Sequence, residues 1–123
     1  MPQDLRIITR QHAGCTILEL HGDLTMLSEG ELTRGYRAAA ESGTAGCILS
    51  FEHVDYINSA GIASIITLLT EARAADHMLV LCALSPHYQK IFRMVGLTQY
   101  AAIFDSEALA EQALAARPGP SDA

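Results

Sequence analysis

"GCILSFEHVDYINSAGIASIITLLTEA", residues 46–72, holds the two patterns that decide the fold. Its first six residues form a short, continuous apolar run, as expected for a strand covered on both faces in a parallel sheet. Beyond it, Ile62, Ile65, Ile66 and Leu69 recur at i, i+3, i+4 and i+7, while Thr67, Thr70 and Glu71 lie largely off that face. That spacing predicts an amphipathic helix, despite the β-branched isoleucines. Between strand and helix sits a small polar cluster, Asn58, Ser59, Ala60 and Gly61, in which Asn58 or Ser59 suits the N-cap position.

The flanking sequence extends the same alternation. Upstream, "LRIITR" and "CTILELHG" are aliphatic and β-branched, and "QHAG" between them offers Gly14 for a turn, so they predict a hairpin. Ser28 and Glu31 have the S-x-x-E spacing of a capping box and predict the start of a first helix. Leu32, Tyr36, Ala39 and Ala40 give that helix its apolar face, and Ser42 and Gly43 its stop. Downstream, "MLVLCAL" repeats the buried-strand pattern. Ser85 and Pro86 predict a third helix lined by Tyr88, Ile91, Phe92 and Val95 and stopped by Gly96 and Leu97. "AAIF" fits an edge strand, and Asp105 and Ser106 open a last helix through Leu109, Ala113 and Leu114. The order β-β-α-β-α-β-α-β-α describes an α/β domain with a mostly parallel sheet, an antiparallel N-terminal hairpin and four helices. One domain is expected over residues 1–116, with "RPGPSDA", 117–123, as a disordered tail.

Half of the 123 residues are apolar, enough for one substantial core. The net charge is −6, and the eight basic residues are scattered singly, so no cationic stripe points to direct nucleic-acid binding. No apolar run reaches the ~18 residues of a spanning helix, and the N-terminus lacks a leader pattern. Three well-separated cysteines, Cys15, Cys47 and Cys82, sit inside apolar segments and read as buried, reduced thiols. A cytoplasmic protein without membrane insertion is the expectation. His12, His21, His53, His77 and His87 form no ligand pair by spacing along the chain, so no metal site is expected. His53 and Asp55 read as a solvated turn, with the border of a docking surface as the other reading. Neither phosphate-binding glycine motif occurs, and no cofactor is expected.

Three readings fit the cluster at 58–61. The first is a plain helix cap. The second is a nucleophile elbow, which fits poorly because Ile57-Asn58-Ser59-Ala60-Gly61 lacks the first glycine of G-x-S-x-G. The third is phosphorylation of Ser59, which adds about −1.5 to −2 charge and three acceptor oxygens at a helix start. Such a group tolerates the fold yet burdens a docking surface with bulk and charge. A penalty of about 3 kcal/mol weakens binding by roughly two orders of magnitude.

From "GDLTMLSEGELTRGY" through "CILSFEHVDYINSAGIASIITLL" to "SEALAEQAL", the chain resembles the STAS domain of anti-sigma factor antagonists. The resemblance implies that an anti-sigma factor with an ATP-binding kinase fold phosphorylates the serine of a D-S-x-G motif at this helix start. It implies Ser59 as phosphoacceptor, a partner-binding surface of Asp23, Thr25, Asn58, Ser59, Ala60 and Gly61, and a serine phosphatase that resets the cycle. No enzymatic activity is implied for the chain itself. Asn58 and Thr25 stand where the family commonly has aspartate. The rival implication of the same resemblance is a structural subunit that binds the ATPase of a bacterial ABC lipid transporter. A scaffold within a larger STAS signalling assembly is a third.

Overall fold

The computed structural model describes residues 4–116, so the expected tail and the first three residues of the expected domain lie outside the described residues. Strand β1 (Arg6–His12) pairs antiparallel with β2 (Cys15–Leu24), in a register running from Arg6 opposite His21 to His12 opposite Cys15. The two-residue turn between them, Ala13 and Gly14, has positive φ at both positions (53° and 78°), the twist that matches flanking right-handed strands. A 3-10 turn (Met26–Ser28) leads into α1 (Glu29–Ala40). Then follow β3 (Cys47–Ile57), α2 (Ser59–Ala74), β4 (Leu79–Cys82), α3 (Pro86–Met94), β5 (Ile103–Phe104) and α4 (Glu107–Ala115).

The sheet order is β1-β2-β3-β4-β5, with every pair after the hairpin parallel. Each crossover therefore steps in one direction. Right-handed crossovers stepping one way lay all their helices on one face, and the core agrees. Leu32 and Tyr36 of α1, Ile65 and Leu68 of α2 and Phe92 of α3 share one large cluster with Leu18, Leu20, Leu49 and Leu81 of the sheet. The opposite face carries a smaller cluster, in which Ala110 and Leu114 of α4 cover Cys15, Ile17, Ile48, Val80 and Cys82. All three cysteines are free and buried, and burial pushes the thiols of Cys47 and Cys82 up to about 12 and about 11.

Several sequence expectations are corrected in detail. Ser28 stands at the N-cap position of α1 but makes no side-chain cap bond to it. Its hydroxyl instead closes the preceding 3-10 turn, accepting from Thr25 N at 2.9 Å and donating to Thr25 O at 2.7 Å, and Glu31 pairs with Arg34. The buried stripe of α2 is Gly61, Ser64, Ile65, Leu68, Leu69 and Ala72, with Ile62 and Ile66 on its half-buried flank. Gly61 lets the helix start lie close against the end of β2, and the contact face runs through Ile65, with Ile62 and Ile66 to its side. Val95 and Leu109 are exposed rather than core-facing. Strand β3 runs on to Ile57, past the apolar run that predicts it.

Candidate functional site

The end of β3, the start of α2 and the turn after β2 meet at the edge formed by the C-terminal ends of the strands. Leu24, the last residue of β2, pairs with Ile57 of β3, and its carbonyl accepts from Asn58 N at 3.1 Å. Gly61 lies directly over that carbonyl. A Cβ at position 61 would fall 2.7 Å from the Leu24 carbonyl carbon and closer still to its oxygen, so only glycine fits without a backbone shift. Tyr88 of α3 adds a third tie, its hydroxyl accepting from Ile57 N at 2.9 Å.

Within this frame the polar cluster divides its work. Asn58 is the N-cap, in extended backbone conformation (φ −98°, ψ −177°), and its Oδ1 accepts from Gly61 N at 2.9 Å. Ser59 occupies the first helical position and is exposed. Its hydroxyl makes no hydrogen bond among the described residues, to a histidine or to any other group. The nucleophile-elbow reading therefore lacks its general base. The free N–H groups of the α2 start put the positive end of the helix dipole beside that hydroxyl, and the first turn of α2 carries no acidic side chain.

The remaining residues of the expected surface fall into two roles. Asp23 is buried (8% exposed), as is Gly61, and of the two it is Gly61 that closes on the Leu24 backbone. Thr25 and Ala60 are half-buried at its border. Thr25 starts the 3-10 turn, its Oγ1 accepting from Leu27 N at 3.2 Å. This turn projects Met26 and Leu27, 69% and 78% exposed, at the same edge as the start of α2. Two large apolar side chains are thus exposed at the same edge as the serine, a feature that sequence reasoning missed. The available signal was an apolar pair directly after a turn-starting threonine.

Residues 6–110 match the STAS domain family. The chain belongs to that family. As a STAS domain it is 29% identical over 100 residues to BtrV of Bordetella bronchiseptica, covering 81% of this chain and 86% of BtrV, whose name provisionally places it among anti-sigma factor antagonists. Its fold is similar to a crystallised anti-sigma factor antagonist from Mycobacterium paratuberculosis, with a TM-score of 0.79 and 14% identity over 91% of this chain and 95% of that one. It is also similar to the phosphorylated form of the Bacillus cell-fate determinant SpoIIAA, with a TM-score of 0.66 and 18% identity over 89% and 99%. The expected α/β architecture is thus the STAS architecture, antiparallel hairpin included. Among the described residues no helix is long and apolar enough to cross a membrane.

Proposed function

We propose that this STAS protein is an anti-sigma factor antagonist whose partner is an anti-sigma factor with a kinase fold, controlled by phosphorylation of Ser59. The docking surface is the edge around Ser59, with Met26 and Leu27 as apolar contacts and Thr25, Asn58 and Ala60 at the border. Gly61, closed over the Leu24 carbonyl, holds this edge in shape, and Asp23 is buried next to Leu24 in β2. The protein works by association, without catalysis of its own, and a serine phosphatase restores the binding-competent form. The observation that carries the reading is the division of labour at the start of α2. Because Asn58 does the capping, the Ser59 hydroxyl is exposed and unengaged at a helix N-terminus able to tolerate an added anion. The likeness to BtrV supports the antagonist class, and the likeness in fold to SpoIIAA, which has a phosphorylated form, supports control by phosphorylation.

The deciding experiment is calorimetry of the unmodified protein, Ser59→Ala and the Ser59-phosphorylated protein against the kinase-fold anti-sigma factor encoded nearest to it. Unmodified protein and Ser59→Ala should bind alike, and the phosphorylated form about 100-fold more weakly, equivalent to about 3 kcal/mol. Equal affinity for all three sinks the switch. Binding of every form to a transporter ATPase instead would make the cluster a cap at a structural interface.

A further inference from the structure

The sheet face that α4 covers leaves an open region toward β1 and the ends of β2 and β3. There, a group of ligand-type side chains gathers that partner binding does not use. Glu19 and His21, two residues apart on β2, point to the same side of the sheet. His53 joins them from β3, where the register pairs it with His21. Its placement depends on an irregularity, since β3 advances from Ser50 to His53 while β2 advances only from Glu19 to His21. The extra residue shifts the alternation of β3. Phe51 and Val54 both pack on the large core, and His53 is turned to the opposite face.

The resulting contacts are close. The rings of His21 and His53 stack with centroids 4.5 Å apart and planes 12° from parallel. Glu19 Oε1 lies 2.9 Å from His21 Nε2, while Oε2 accepts from Arg10 Nε at 2.8 Å. Arg10 is held in turn by both carboxylate oxygens of Glu107 on α4. One donor atom from each of Glu19, His21 and His53 lies within 4.8 Å of the other two.

The geometry points to a binding site for a divalent transition-metal ion, zinc, held by Glu19, His21 and His53 with one coordination position left open. Two imidazoles and a carboxylate form a donor set suited to this ion. A tetrahedral site with ~2.0–2.1 Å arms has donor–donor edges of about 3.3 Å, close to the present Glu19–His21 separation. Arg10, fixed by Glu107, restrains the outer oxygen of Glu19 and leaves Oε1 to face the site, as an outer-shell partner does. The stacked rings must turn out of parallel for both nitrogens to face one ion. His53 is exposed, so rotation of its side chain supplies that turn. The ion would join β2 to β3 on the stretch that leads into Asn58 and Ser59. The simpler alternative is a hydrogen-bonded surface network with no ion.

The test uses the full chain, free of any affinity tag and stripped with chelator, titrated with zinc chloride by calorimetry and with cobalt(II) followed by visible absorption. One saturable zinc site is expected, with the intense cobalt bands of four-coordination. His53→Ala and Glu19→Gln should each weaken zinc binding at least about tenfold, and His12→Ala should leave it unchanged. Zinc should raise the melting temperature of the wild type but not of His53→Ala, a substitution at an exposed position that keeps the fold. The absence of saturable binding below millimolar zinc, or an affinity that survives both substitutions, overturns the proposal. The result is independent of whether Ser59 is a phosphoacceptor.

Discussion

Gly61 and Asn58 make opposite demands on the start of α2. At Gly61 the constraint is steric, because the obstacle to a Cβ is the backbone of Leu24, which cannot rotate aside as a side-chain end can. Gly61→Ala should therefore cost about 2–3 kcal/mol, as overpacking does, even though alanine is the better helix former. Urea unfolding measures this directly, and a neutral or stabilising result would show that β2 and α2 separate easily. At Asn58 the constraint is chemical. Asn58→Ala should cost about 1 kcal/mol by removing the cap bond to Gly61 N, whereas Asn58→Asp keeps the bond and adds a favourable charge worth about 0.3–1 kcal/mol. The same denaturation series checks both, and an Asn58→Asp protein less stable than wild type contradicts the cap geometry. The capping role of Asn58 or Ser59 was legible from the sequence, since residue type and position suffice for it. The contact of Gly61 was not, because its partner Leu24 is distant in the chain. Ser28 misled for the opposite reason: Thr25 lies only three residues before it, and that nearer turn took its hydroxyl.

Strands and helices were legible to the extent that periodicity is informative. The apolar runs of β3 and β4 stand out, but the second half of β3 mixes polar and apolar residues, and its two register shifts against β2 erase the simple alternation. The first of those shifts brings His53 beside His21, which no spacing along the chain reveals. Helix α4 presents a different problem, because its buried residues are Ala110 and Leu114 and its charged residues reach across to β1. Arg10 binds Glu107, and His12 Nδ1 lies 2.8 Å from Glu111. The hydrogen bond from His21, with that from Arg10 second, holds the Glu19 carboxylate below its ordinary pKa. A carboxylate with a lowered folded-state pKa contributes stability that is present above its unfolded value and is lost as pH falls through the folded one. Acid should therefore weaken the contacts of Glu19 with His21 and Arg10, and likewise the Arg37–Glu71 pair between α1 and α2, whose carboxylate pKa is lowered by its bond from Arg37. Arg10→Gln should reproduce part of that loss at neutral pH, at a cost of only about 0.5–1 kcal/mol because the guanidinium is substantially solvated. In Arg10→Gln, amide exchange should quicken in β1 and α4 while that of α2 is unchanged, and uniform quickening would assign the ion pairs no local role.

At the scale of the whole molecule, the order of elements decides where the serine sits. Parallel strands stepping in one direction place their exits at a single edge and α1, α2 and α3 on one face. The loop from β3 to α2 therefore rests on the large core through Gly61 and Leu24 while Ser59 remains outside it. A modification there can change the surface without reaching the packing, and this separation makes a switch physically possible. Ser59→Glu isolates the consequence. A negative charge in the first turn of α2, which has no acidic residue of its own, favours the helix dipole. Stability should hold or rise by about 0.3–1 kcal/mol at low ionic strength, with the gain fading as salt screens it. The dependence on denaturant should be unchanged, since the surface exposed on unfolding is the same. Paired unfolding curves at low and high salt make the comparison. A loss of more than about 1 kcal/mol would mean that charge at Ser59 disturbs the fold itself, and weaker partner binding would then report unfolding instead of a remodelled surface.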